Sequence, residues 1–308
     1  MWNTPDLILT TINRRCNTCC TTGGGGMAQI AEWFDGLSLG RKPSPGIEAV
    51  LTIVRTDAGR ASFMSTQDLA SRANVNVATV VRAAQFLGFS GWSALKSELR
   101  HRYLASLTAE KLLTERVVPP IGLAGSSLAN DARNMARLAD SISPDQLTRA
   151  AAILAAADRT IVLATGSYAA AGFQLAHVGQ WMGRDIELHT SSGTALVNRL
   201  RMLSPGDCLV SCNLWRASKF VLEVVRVAAQ RGIRIVAIAD RQTAITDLAE
   251  ESLLVPSEGV TFMPSTVAAV ATVQALLAEL SSSDPDRTMT ALRDTEELWS
   301  ELDLVDPI

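Results

Sequence analysis

The residues that most often carry metal and acid–base chemistry are scarce here: 308 residues include only three histidines and five cysteines. His101, His177 and His189 are scattered, so no histidine pair has metal-ligand spacing. Cys16, Cys19 and Cys20 form a C-x-x-C-C run without a fourth ligand nearby, and we read them as thiols of an N-terminal tail. Cys208 and Cys212 lie in an aliphatic run and are expected to pack as small core residues. No metal or other cofactor is expected. Long hydrophobic runs are missing as well. The best candidate, Val267 to Leu280, is interrupted by Thr272 and Gln274 and meets a charge at Glu279, short of the ~18 apolar residues a membrane helix needs. The apolar patch Leu7 to Leu9 has no basic residue before it, which argues against a signal peptide and for a cytoplasmic protein with no membrane partner.

What remains is the composition of an ordinary globular protein, 47% hydrophobic and 19% charged, long enough for two cores. The net charge of −3 conceals an asymmetry. Residues 27–107 hold nine Lys or Arg against six Asp or Glu, whereas residues 108–308 hold 17 against 24. A mildly basic front on an acidic remainder suits an anion-binding module joined to a neutral-to-acidic body.

Residues 1–26 end in four consecutive glycines and are expected to be a disordered tail, with Met27 an alternative start. Residues 27–107 have helical apolar spacing throughout. Residues 108–149, with a Pro119-Pro120 break and a helix over Ser127 to Asp140, are read as a helical linker. From about residue 150 to 290, short aliphatic runs alternate with helical segments, which predicts a doubly wound parallel sheet. Residues 291–308 close the chain as an exposed terminal helix or tail. The expected fold class is therefore α/β, an all-helical N-terminal domain followed by a parallel-sheet domain.

Within the helical domain, Ser65 stands as an N-cap before Thr66-Gln67-Asp68, with Asp68 placed to complete a capping box. A break at Asn74-Val75-Asn76 separates this helix from a second, Val77 to Leu87, which ends on Gly88. Two short helices joined by such a turn make a helix-turn-helix, with Leu69, Ala70, Val75, Val80, Val81 and Leu87 fixing their angle. The open face of the second helix then carries Asn76, Val77, Ala78, Thr79, Arg82 and Gln85, groups suited to a major groove, while Ser65 and the first helix N-terminus suit phosphate. The run Met64 to Ala70, the Ala78-Thr79-Val80-Val81-Arg82 element and Leu87-Gly88-Phe89-Ser90-Gly91-Trp92 through Lys96 together resemble the head of the RpiR family of bacterial transcriptional regulators. That resemblance implies double-stranded operator DNA as partner. It puts Thr79 and Arg82 in the recognition helix and Lys96 in the helix that closes the domain, with Ser65, Thr66, Asn76, Val77 and Ala78 completing the candidate DNA contacts.

In a doubly wound sheet, ligands bind beyond the C-terminal strand ends. The first such loop is Thr165-Gly166-Ser167-Tyr168. It is no dinucleotide fingerprint, because Ala164 and Ala169 stand where glycines would be needed. Behind the RpiR-like head, this order of elements is similar to a sugar isomerase (SIS) domain, in particular over Ile161 to Ser167, Leu203 to Asp207, Ala228 to Gly232 and Leu253 to Glu258. The likeness implies a phosphorylated sugar or related anion as effector, at Gly166, Ser167, Tyr168, Asn213, Arg216, Ser218, Lys219 and Glu258. One stretch departs from the family. SIS domains commonly read S-x-S-G-x-T at the second loop, whereas this chain has Asn213-Leu214-Trp215-Arg216-Ala217-Ser218. Either the phosphate site is lost or it is re-tooled, with Arg216 and Lys219 supplying charge; we favour re-tooling.

The alternative is a sugar-phosphate isomerase, which needs a base at the substrate carbon. His177 is expected on the buried side of its helix, and Glu258 follows a strand end without a catalytic partner. A non-catalytic sensor is the better reading, assembled as a homodimer or homotetramer through its bodies so that two heads meet a palindromic operator.

Overall fold

The computed structural model describes residues 26–38, 40–115 and 122–304. The tail cysteines, most of the glycine run and Pro119-Pro120 lie outside the described residues. The chain forms two compact units, divided between Glu115 and Arg116.

The first unit is helical: α1 (Gly26–Gly36), α2 (Pro45–Thr56), the single turn α3 (Ala58–Ala61), α4 (Thr66–Ala73), α5 (Val77–Phe86), α6 (Trp92–Ser106) and α7 (Ala109–Glu115). Each boundary has a local cause. Pro45 opens α2 at a position where a missing N–H costs nothing, and Asn74 ends α4 in the left-handed region at φ 51°. Phe34, Leu51, Leu69, Val80, Leu87, Leu95 and Leu99 from five of these helices fill one core. The indole N–H of Trp92 donates to the Met64 carbonyl at 3.2 Å, tying α6 to the turn before α4.

The second unit is a five-stranded, all-parallel sheet in the order β2-β1-β3-β4-β5. In chain order it runs α8 (Gly122–Ser141), α9 (Pro144–Ala156), β1 (Arg159–Leu163), α10 (Ala169–Trp181), β2 (Asp185–His189), α11 (Thr194–Arg201), β3 (Cys208–Asn213), α12 (Lys219–Gln230), β4 (Arg234–Ala239), β5 (Glu251–Leu254), α13 (Val267–Ser283) and α14 (Pro285–Glu301). Helices cover both faces: α9, α10 and α13 bury Val162, Val210, Val236 and Leu253, while α11 and α12 bury Ile161, Leu163, Leu209 and Ile235. Successive residues of β1 point to opposite layers, the two-sided burial that parallel strands require. Cys208 and Cys212 are wholly buried in β3. Burial pushes both thiols up to about 12, so they remain protonated, inert packing groups.

Two readings of the sequence need correction. Residues 122–149 do not behave as a linker but as part of the second unit. Helix α9 opens on a complete capping box between Ser143 and Gln146 and buries Ala150, Ala151, Ile153 and Leu154, and its Arg149 pairs with Glu251 of β5 at 2.6 Å. His177 is not buried; it stands on the outer face of α10. The exposed terminal helix is present and tied to the body: Arg287 donates to the Gly183 carbonyl at 2.7 and 3.0 Å, and Trp299 packs on Trp181.

Helix α10 approaches the sheet through Gly172 and Gly179. A Cβ at Gly172 would stand 2.7 Å from the Ala164 Cβ and 2.8 Å from the Leu188 Cδ1. Gly172→Val is therefore expected to cost roughly 1–3 kcal/mol by overpacking. For a unit of this size that lowers the midpoint of its thermal transition by about 2–4 °C per kcal/mol. Calorimetry of the full chain checks this, and an unchanged transition would refute the close approach.

Candidate functional site

The reading surface of the first unit is built by two caps. The Ser65 hydroxyl accepts from the Asp68 N–H at 3.1 Å, and the Asp68 carboxylate accepts from the Ser65 N–H at 3.3 Å and the Ser65 hydroxyl at 2.6 Å. These bonds hold the Asp68 carboxyl below its ordinary pKa, so this cap weakens as pH falls through that lowered value. They also use the donors of Ser65 inside the box, which leaves Thr66, half-exposed at the first helical position, as the better phosphate contact of the pair. At α5 the Asn76 side-chain oxygen accepts from both the Thr79 N–H and the Thr79 hydroxyl at 2.8 Å. Val80, Ala83 and Ala84 turn inward, and Asn76, Val77, Ala78, Arg82 and Gln85 are left exposed with Thr79 partly so. Arg82 lies back along its own helix, donating to the Thr79 hydroxyl at 3.2 Å and the Ala78 carbonyl at 3.4 Å. Reaching a base edge requires only that it exchange these weak, exposed bonds. Lys96 sits half-buried on α6. The sequence did not single out Arg41: its guanidinium stacks 4.7 Å over the Phe86 ring and donates to the Phe86 carbonyl, fixing the C-terminal end of α5.

In the second unit, the loops after β1, β3, β4 and β5 gather at the C-terminal edge of the sheet. Gly166 has φ +62° in a short turn with Ser167 exposed and Tyr168 buried. Across the β1–β3 pair, Asn213 is buried and donates to the Ser211 hydroxyl at 2.8 Å. Trp215 then takes φ +64°, a left-handed conformation costing a non-glycine residue about 1–3 kcal/mol. What holds it is Asp240, at the end of β4. The Asp240 carboxylate accepts from the Trp215 N–H at 2.8 Å and the Ser257 hydroxyl at 3.0 Å, and pairs with Arg241 at 3.0 Å; Arg241 in turn donates to the Trp215 carbonyl. Burial, with the Asp240 charge second, raises the Tyr168 phenol to about 12, so it stays a neutral hydroxyl. Sequence reasoning missed both Asp240 and Arg241, because nothing in a lone Asp-Arg pair marks it as lying where four strand ends converge.

Beyond Trp215 the surface is basic. The Arg216 guanidinium lies 4.7 Å from the Trp215 ring, the Ser218 hydroxyl caps α12 by accepting from Val221 N–H at 3.2 Å, and Lys219 is exposed at the first turn. Exposed cations beside the N-terminus of a 12-residue helix attract an anion. The cavity behind Trp215 and Asp240 is only about 20 Å³, room for a single water, whereas small-molecule pockets span roughly 300–1,000 Å³. Glu258 is placed differently from the rest. Its carboxylate pairs with Arg137 at 3.2 Å, and its carbonyl accepts from Asn134 at 2.8 Å and from Asn130, both on α8. Among the described residues no group of histidine, cysteine or carboxylate side chains is disposed to hold a metal, and no helix is long and apolar enough to cross a membrane.

Residues 48–106 match the family model described as the helix-turn-helix domain of the rpiR family. The chain is similar to the sugar isomerase domain of an RpiR transcription factor from Sphaerobacter thermophilus, with 27% identity and a TM-score of 0.55 over 57% of this chain and 98% of that one. It shares its fold with the Vibrio vulnificus NanR protein complexed with ManNAc-6P, with 20% identity and a TM-score of 0.54 over 90% of this chain and 99% of that one. No curated protein matches the chain in sequence. Head and body together define a two-domain transcriptional regulator, a DNA-reading helix-turn-helix followed by a sugar isomerase domain. Within that class, residues 48–106 match the rpiR-family helix-turn-helix and the body is similar to the sugar isomerase domain of an RpiR transcription factor.

Asn76→Ala removes the cap of α5 and is expected to cost about 1 kcal/mol of head stability, read by thermal melting. Arg82→Ala, which touches no core residue, should leave the melt unchanged and weaken operator binding about tenfold. Operator affinity at the wild-type level would show that another face of the head reads DNA.

Proposed function

We propose that the chain is a cytoplasmic regulator whose body binds a phosphorylated sugar or similar anion at the C-terminal strand ends and thereby changes the operator affinity of its heads. The carrying observation is the basic corner made by Arg216, Lys219 and the capped N-terminus of α12, set across the β1–β3 pair from the Gly166–Tyr168 turn. The sugar-phosphate complex of the NanR protein, which has the same fold, supports that ligand class. Because the cavity holds one water, the effector enters by displacing Trp215 and Arg216, and the left-handed strain at Trp215 favours that displacement. Ser167 and the neutral Tyr168 hydroxyl then face the sugar, while Arg216 and Lys219 meet the anion.

The site is arranged for sensing rather than turnover. His177 stands on the outer face of α10, and Glu258 is held in an ion pair with Arg137 instead of reaching into the strand-end cavity. The Glu258 loop instead offers a route to the head. Its carbonyl is gripped by Asn130 and Asn134 of α8, the first helix after the segment that joins the two units, so a shift of the loop is felt by α8.

A mobility-shift titration on DNA upstream of the chain's own gene, with and without a panel of sugar phosphates, tests the reading. The expected result is specific binding whose affinity one sugar phosphate changes by about 5–150-fold. Turnover of a sugar phosphate with no specific DNA binding would overturn it in favour of an isomerase. Arg216→Ala should weaken the effector while sparing operator affinity in its absence. Asn134→Leu should retain effector binding, measured calorimetrically, and lose the effect on DNA; an intact effect would mean that coupling bypasses α8.

A further inference from the structure

The head carries an open groove that neither its core nor the exposed face of α5 uses. The groove, of about 630 Å³, lies between the turn after α3 and the outer side of α4, lined by Arg60, Phe63, Met64, Asp68, Ser71 and Arg72. Leu69 and Ala70 of α4 turn into the core shared with α5, so Asp68, Ser71 and Arg72, three and four residues apart, look outward. Phe63 is 55% exposed, yet its ring is held in position: Tyr103 of α6 meets it edge-on at 6.4 Å and 85°, and the Arg100 guanidinium lies 4.7 Å from it. Arg100 is anchored in turn by donating to the Ser62 carbonyl at 3.1 Å. A large ring already fixed on two sides and open to solvent makes a contact without further ordering. Arg60 and Arg72 flank it, both exposed, and among the described residues neither side chain makes a hydrogen bond or ion pair. The one carboxylate of the lining, Asp68, is engaged with Ser65 in the capping box.

We propose that this groove receives an acidic segment of a partner protein, one that carries an aromatic or large apolar side chain between its carboxylates. Composition and charge select this occupant. Aromatic residues, methionine and arginine are the types enriched where proteins meet. Arg60, Arg72 and Arg100 around the Phe63 ring, against one committed carboxylate, favour carboxylates on the incoming chain. A phosphate backbone would satisfy the guanidiniums but leave the exposed ring uncovered. A small molecule suits the site no better, since such ligands bury roughly 70–90% of their surface in an enclosed pocket. Because Leu69 and Ala70 lie between the groove and α5, the occupant leaves Asn76, Thr79 and Arg82 free, and one head can hold operator and partner together. That simultaneous engagement rests on the regulator reading, whereas binding of the acidic segment does not.

Fluorescence anisotropy of a labelled Asp-Glu-Asp-Phe-Glu-Asp peptide, titrated with the full chain in the absence of DNA, tests it. Saturable binding that weakens as salt is raised is expected, with a Lys-Lys-Lys-Phe-Lys-Lys peptide left unbound. Serine in place of the peptide phenylalanine, or Phe63→Ala in the protein, should weaken binding about tenfold. Arg60→Ala and Arg72→Ala should each weaken it about fivefold, with the wild-type melt and operator affinity retained; should Phe63→Ala melt early, these two variants decide. No saturable binding of the acidic peptide, or equally tight binding by the folded arginine variants, would overturn the proposal. So would a fall in the operator affinity of those variants with a flatter salt dependence, which would assign the groove to the phosphate backbone. Binding of the peptide by a chain that binds no operator would keep the groove and refute only the regulator reading.

Discussion

One buried carboxylate organises the C-terminal edge of the sheet. Asp240, at the end of β4, holds the backbone of the β3 loop through Trp215, the β5 loop through Ser257 and its neighbour Arg241, while burial first and its charge second raise the Tyr168 phenol. A buried charge of this kind is tolerated only while its partners are in place, since losing one leaves the carboxylate underpaired at a cost of several kcal/mol. The loops after β3, β4 and β5 are therefore tied to one another through one carboxylate. That constraint turns a local displacement of Trp215 into an event at the β5 loop, and from there at the asparagines of α8.

Much of the architecture was legible in the sequence. The five parallel strands all fall in the stretch from about residue 150 to 290 where aliphatic runs alternate with helical segments, because parallel strands buried on both faces read as unbroken aliphatic runs. The helix-turn-helix was legible through its caps, Ser65 with Asp68 and Asn76 with Thr79. Helix α9 was misread although Ser143-Pro144-Asp145-Gln146 spells a capping box with proline at the first position; its alanine-rich body blurred into the preceding polar stretch. The strand-end site was only half legible. Gly166, Ser167, Ser218 and Lys219 are local signals, whereas Asp240 acts through partners 17 and 25 residues away in sequence, which no local pattern reveals. His177 was misplaced for a related reason: on a helix apolar on both sides, hydrophobic spacing does not say which side faces the sheet.

The departure from the usual hydroxyl-rich loop becomes intelligible in this setting. A loop of serines holds a phosphate by hydrogen bonds from a preformed cradle. Here the Arg216 guanidinium lies 4.7 Å from the Trp215 ring and the space behind Trp215 admits about one water; on the proposed reading the resting site is closed and charges rather than hydroxyls meet the effector. Such a site exchanges some affinity for a larger conformational response, because effector binding must open it. In a sensor that response is the output; in an enzyme it would slow every turnover.

Hydrogen exchange of the full chain, with and without a sugar phosphate that alters its DNA binding, tests this most directly. The expected result is a change confined to residues 166–168, 214–219 and 256–260 at the strand ends together with 122–141 in α8, since Asp240 and the Glu258 carbonyl link them. A response that stays at the strand ends and leaves α8 untouched, or one that appears elsewhere in the body, would contradict it.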